Sequence, residues 1–158
     1  MTSDVRLLDA PLDHAAELAR FARAHPAAGG IASFLGQVRG DDTVLELELS
    51  HFEPLTLPAM RALADTAMAR WKLGGVLIVH RIGAMAPGDP IVLIAAAARH
   101  RRAAFEAVDY LMDHLKSETW LWKRERTAAG WRWVEPGHED HADKARWSVG
   151  GLAGDAPA

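Results

Sequence analysis

The apolar positions change period several times along the chain, and each change marks an element. In HAAELARFARAH, residues 14–25, Leu18, Phe21 and Ala22 recur at helical spacing. Asp13 stands where it can cap that helix, and Pro26 with Gly29-Gly30 closes it. GIASFLGQV (30–38) and VLELELSHF (44–52) have the period of strands, the second setting Leu45, Leu47 and Leu49 against Glu46, Glu48 and Ser50. A turn on Gly40-Asp41-Asp42 is expected to join these two. From Leu57 to Lys72 the residues Met60, Leu63, Ala64, Ala67, Met68 and Trp71 predict a packing helix, stopped by Gly74-Gly75. GVLIVHRIG and PIVLIAAAA are continuous apolar runs linked by Ala86-Pro87-Gly88-Asp89, and read as buried strands joined by a turn.

A further helix runs from Arg101 to about Lys116, with Phe105, Val108, Leu111, Met112 and Leu115 on one stripe. After it, WLWKRE and WRWVE flank Thr127-Ala128-Ala129-Gly130 and predict a tryptophan-rich hairpin. The order α, β, β, α, β, β, α, hairpin gives an α+β domain with a mixed or antiparallel sheet, spanning residues 1–136 as one unit. Residues 137–158 are expected to form a polar tail whose last part, GGLAGDAPA, is disordered.

Composition narrows what this domain can do. A length of 158 residues with 49% apolar content fits one domain with a real core. The net charge of −3 is unlike that of a general nucleic-acid binder, so any anion site must be local. No apolar run approaches the ~20 residues of a membrane span, and MTSDVRLLDA lacks the basic and apolar regions of a signal peptide. A soluble cytoplasmic protein is expected, with neither membrane nor nucleic acid as partner. The absence of cysteine excludes disulfides, thiolate metal sites, thioester intermediates and persulfide carriage together. If sulfur chemistry occurs here, the sulfur arrives on another molecule.

Local chemistry is concentrated in a few places. RHRR, Arg99 to Arg102, puts cations at a helix N-terminus, against the macrodipole. Either an anion compensates them, or they form a solvated patch in which Arg102 pairs with Glu106. In LKSETWLWKRE, Lys116 ends a helix and Lys123 lies on the following strand. The two amines are either solvated or gathered beside the tryptophans as reactive groups. Arg39 follows a strand at a turn, a position that often presents a functional side chain. His51 and His80 fall inside strand patterns and read as satisfied sheet histidines. His138-Glu139-Asp140-His141 carries metal-capable groups but sits in the polar tail, and reads as exposed.

Taken in order, ASFLGQVRG, HF, VLIVHRIGAMAPGD, RHRRAAFEAVDYLMDHLK, WLWKRE and RWVE resemble the large, catalytic subunit of molybdopterin synthase, the MoaE family. The resemblance covers about residues 29–136. It implies an α/β hammerhead fold with a β-hairpin extension, and a sulfurtransferase of molybdenum cofactor biosynthesis that needs no resident cofactor or metal. Cyclic pyranopterin monophosphate would become molybdopterin by two sulfur transfers from a thiocarboxylated ubiquitin-like small subunit of the MoaD type, ending in Gly-Gly. The large subunit would form a homodimer at the centre of a heterotetramer. Gln37, Val38, Arg39, His100, Arg101, Lys116, Lys123, Arg124 and Glu125 match the family's substrate-site positions. The resemblance implies that Arg39, His100 and Arg101 suit the substrate phosphate and the incoming carboxyl terminus. Lys116 would carry the chemical step, Lys123 would assist it, and Phe34 would wall the pocket. The chain departs from the family pattern at Gln37, often lysine; at HFEPLTLPAM, usually an HYPGM-like run; and at Ser117-Glu118-Thr119-Trp120, commonly Thr-Arg-Ala-Pro.

Overall fold

Strands β4 (Gly75–Arg81) and β6 (Pro90–Ala98) are apolar at successive positions because the sheet they share is covered on both faces. The computed structural model describes residues 2–118 and 120–148. Val76, Ile78, Val92, Ile94 and Ala96 face α2 (Glu53–Trp71) and α3 (Arg101–Ser117). The intervening Leu77, Val79, Leu93, Ala95 and Ala97 face Leu12 and α1 (His14–Ala24), where Phe21 is the buried anchor. Leu77, Ile78 and Ile94 are fully buried, each contributing about 1.5–3 kcal/mol.

Two more strands complete this sheet, in the order β1-β4-β6-β2. β2 (Gly30–Gln37) pairs antiparallel with β6, and β1 (Thr2–Leu8) pairs parallel with β4, which makes the sheet mixed. A second, antiparallel sheet has the order β5-β3-β7-β8, from β5 (Gly83–Met85), β3 (Glu46–His51), β7 (Leu121–Thr127) and β8 (Gly130–Val134). Val38, Leu47, Leu49 and Met85 form its own small core. The α+β class, the helices and the tryptophan hairpin are as expected from the periodicities.

Four features differ from the sequence reading. β2 and β3 are not a hairpin: a register shift at Gly36/Gln37 ends β2, Val38 turns into the second core, and the two strands enter different sheets. Period fixes which face of a strand is buried, not which strand lies beside it. β1 is an edge strand with Val5 as its one buried residue, so its alternation with Asp4 and Arg6 is too short to stand out. β5 has three residues. Finally, residues expected in a polar tail form α4 (His138–Ala145), held on α3 by charges rather than by an apolar stripe. Lys144 pairs with Glu118, and Arg146 pairs with Asp113 at 2.6 Å and Asp109 at 2.8 Å. Trp147 donates to Asp113 at 2.6 Å and stands edge-on to Trp71 and Tyr110. The GGLAGDAPA stretch lies outside the described residues.

Two polar devices tie the layers together. Thr56, fully buried, accepts the Phe52 N–H at 3.1 Å and donates to the Trp120 carbonyl at 2.7 Å, joining the start of α2 to the approach of β7. Arg6 bonds Glu17 through both carboxylate oxygens, at 3.0 and 2.6 Å, and Arg20 reaches Asp4 at 2.6 Å, pinning α1 to β1. The Arg6 guanidinium, aided by Arg20 and opposed by burial, lowers the Glu17 carboxyl from 4.5 to about 2.

Thr56→Val should lower stability by about 1–3 kcal/mol, because it keeps the volume and removes the buried hydroxyl that joins the Phe52 N–H to the Trp120 carbonyl; denaturant titration reads this directly. For Glu17 the folded pKa is the depressed one, so its stabilisation is complete above about 4.5 and fades as pH falls toward about 2. Glu17→Gln should therefore melt below the parent chain at pH 7, with the gap closing across that acid window.

Candidate active site

Helix α3 ends where the two sheets meet, and that ending builds the site. Its apolar stripe fixes the helix on the mixed sheet through Ala104, Val108, Leu111 and Leu115, so Lys116 in the last turn must point away from the core. A C-terminal cation also suits the helix dipole. Glu118 then adopts extended backbone, φ −82° and ψ 150°, and the chain reverses into β7. On β7 the residues alternate: Leu121, Lys123 and Glu125 face inward, whereas Arg124 and Arg126 pair with Glu48 and Glu46 on the outer face.

The cavity between the two sheets has a volume of about 650 Å³. Its walls are Phe34, Gln37, Val38 and Arg39 from the end of β2 and the turn after it, Lys116 from α3, and Lys123 and Glu125 from β7. Seven of the residues singled out from the sequence thus meet around one space. Lys116 and Lys123, from a helix end and a strand, both line it. Lys123 lies 3.7 Å from Glu125, and Glu125 also takes Arg132 at 3.0 Å. Gln37 reaches only the Gly88 carbonyl, at 3.5 Å. Val38 contributes shape rather than a polar side chain: it is buried in the second core, and its backbone is bonded to Asp89 and Gly88. Arg39 makes no ion pair among the described residues.

Three expected site residues are not brought here within one chain. Arg124 lies on the outer face, 2.9 Å from Glu48 and stacked 4.3 Å from the Trp131 ring. His100 and Arg101 are exposed at the far end of α3, roughly 22 Å from Lys116 by helix rise. The pairing of Arg102 with Glu106 does not form; Glu106 instead accepts the Trp71 indole N–H at 2.9 Å. No acid stands in the first turn of α3, so the cations there remain uncompensated by their own helix.

The cavity also holds groups that the sequence reading did not assign to a site. Arg132 from β8 adds a cation, and its alternation with Trp131 and Trp133 was the signal that it faces inward. His80 lies in the wall, buried, with Nδ1 2.9 Å from the Arg81 carbonyl; burial pushes its imidazole pKa down against that bond. Asp140 arrives from α4, 3.2 Å from the Lys116 amine. Burial raises the Asp140 carboxyl, but the Gly137 N–H and Lys116 together outweigh it and hold the group below the usual carboxylate range. His138, Glu139 and His141 are exposed, as read from the sequence, whereas Asp140, expected exposed with them, is largely buried by its contacts with Lys116 and the Gly137 N–H. Glu118, which interrupts the two lysines in sequence, is directed at Lys144.

A mixed cationic and acidic cavity of this size, walled by Phe34 on one side, can hold a small anionic substrate and polarise it. Known proteins similar in sequence and fold give the cavity its context. The family model described as MoaE protein matches residues 7–118. A molybdopterin synthase catalytic subunit from Ralstonia nicotianae is 42% identical over 148 residues, covering 92% of this chain and 84% of that protein. One from Caulobacter vibrioides is 42% identical over 144 residues, covering 90% and 96%. Among solved structures, the molybdopterin biosynthesis MoaE protein from Burkholderia ambifaria superposes with a TM-score of 0.80 at 39% identity, covering 94% of this chain and 100% of that one. With the family model spanning most of the chain and relatives matching nearly end to end, the chain belongs to the MoaE family of molybdopterin synthase catalytic subunits.

Proposed function

We propose that the 650 Å³ cavity is where cyclic pyranopterin monophosphate becomes molybdopterin, by two sulfur transfers from the thiocarboxylated C-terminal Gly-Gly of a separate ubiquitin-like small subunit. The observation that carries this reading is the meeting of Arg39, Lys116 and Lys123, from three separate segments, around one cavity in a chain without cysteine. A site with cations and no thiol suits a reaction in which both the sulfur and the negative charge arrive with the reactants.

In this reading Arg39, unengaged by any carboxylate of the described residues, takes the substrate phosphate or the incoming carboxyl terminus. Lys116 serves the chemical step, polarising the thiocarboxylate and stabilising the anionic intermediate, or acting as base once free of its proton. Lys123 assists by charge and proton transfer, and Glu125 orients it. Gln37 and Val38 shape the entrance, and Phe34 supplies an apolar wall. Arg124 supports the strand from behind. His100 and Arg101 fit the same reading through the expected homodimer: the exposed cations of one copy serve the cavity of the other, which supplies the anion that their own helix lacks. Two small subunits on such a dimer make the heterotetramer.

The test mixes the purified chain with cyclic pyranopterin monophosphate and thiocarboxylated small subunit and follows dithiolene formation by mass. Product should form, and Lys116→Ala should slow it by roughly a hundredfold or more while leaving small-subunit binding intact. Lys123→Ala should slow it less. No product from active donor and substrate would leave a binding module in place of an enzyme, and full turnover by Lys116→Ala would remove that lysine from the chemistry.

A further inference from the structure

Lys116 and Asp140 stand together at a second boundary. Beside the larger cavity lies a smaller one of about 340 Å³ between β2, α3 and α4, and Lys116, Asp140 and Phe34 line both. We propose that Asp140 is a positioning residue for Lys116, and that α4 exists in part to deliver it. This inference rests on the reading of Lys116 given above. It concerns a helix outside residues 7–118, the stretch that the family model matches.

A lysine amine on the last turn of a helix swings on four bonds, and this side chain is 61% exposed, so its own helix does not hold it in one place. Several carboxylates surround that turn, among them Asp113, Glu118 and Asp140, and α4 decides which one meets the amine. Asp113, one turn back, is taken by Arg146 and by the Trp147 indole. Glu118, two residues on, is taken by Lys144. Asp140 is the one that pairs with Lys116, at 3.2 Å, whereas Asp143, on the wall of the smaller cavity, makes no ion pair with it among the described residues. Across the cavity Glu125 is occupied by Lys123 and Arg132. The cations of α4 therefore withdraw the acids of α3 and its cap, and α4 supplies one carboxylate of its own in their place.

Asp140 is itself fixed. Its side chain is three-quarters buried, and Oδ2 accepts the Gly137 N–H at 2.9 Å at the start of α4. That leaves Oδ1 facing the amine, so the carboxylate cannot rotate toward Lys116 or away from it without uncapping its helix. A fixed anion beside a mobile ammonium restricts the amine to the seam between the cavities, where a reacting group in the larger one can meet it.

The closing experiment uses Asp140→Asn, which keeps an oxygen for the Gly137 N–H and removes the charge. Lys116 should then react with trace acetic anhydride roughly two- to fivefold faster relative to the exposed Lys72, the range expected for losing an exposed ion pair. In the same variant kcat for dithiolene formation should fall by a similar factor with KM for the pterin unchanged. Asp143→Asn, a neighbouring charge on α4 with no bond to Lys116, controls for net charge and should alter neither. Unchanged labelling of Lys116 in Asp140→Asn overturns the proposal, as does changed labelling with wild-type kcat. Full turnover by Lys116→Ala would overturn the site reading and the purpose of the pair with it, whereas an inactive Lys116→Ala beside an unaltered Asp140→Asn overturns only the role of Asp140.

Discussion

The demand that β4 and β6 be buried on both faces governs the rest of the molecule. Strands with apolar side chains above and below cannot leave either face in water, so α1 must cover one and α2 with α3 the other. Small side chains make this close packing feasible: Ala95, Ala96, Ala97 and Ala98 run consecutively along β6 and are all buried. Once α3 is seated by Leu111 and Leu115, the position of its last turn is no longer adjustable, and Lys116 is delivered to the junction of the two sheets as a consequence of core packing.

The second sheet depends on that junction. Among the described residues its buried core is Val38, Leu47, Leu49 and Met85, and Val38 belongs by sequence to the connection leaving the first sheet. Thr56 holds the approach to β7 from the other side through the Trp120 carbonyl. A small, partly exposed second sheet against a fully packed first one leaves a cavity between them, lined by alternate residues of β7 and the end of β2. The rigid scaffold and the open site are two results of one unequal division of apolar residues.

Electrostatics finishes what packing begins. α4 has no buried residue and is held chiefly by Lys144, Arg146 and the indole of Trp147 against acids at the end of α3. Such contacts contribute little each in water and more as a network. They leave the charge pattern around Lys116 to be set by a segment that is polar in sequence and has no apolar stripe to announce its docking.

Much of this was legible beforehand. Residue order and period alone identify α1, α2, α3, the two buried strands and the tryptophan hairpin, because each has an apolar face long enough to repeat. They also show that any sulfur chemistry here would take its sulfur from another molecule, since the sequence has no cysteine, and the ordered motifs from ASFLGQVRG to WLWKRE point to the family. Strand partners lay beyond reach, because period-2 alternation selects a face and not a neighbour: β2 and β3 look like a hairpin and belong to different sheets. The site was legible as a list, not as a geometry. Phe34, Arg39, Lys116 and Lys123 do share one cavity, but Arg124 faces outward by a single step of strand alternation, and His100 and Arg101 sit a helix length away. Asp140, read as exposed in a polar tail, could not be placed in the site from sequence, because what sets it beside Lys116 is a set of long-range ion pairs, and a charge in sequence carries no record of the partner it will meet in space.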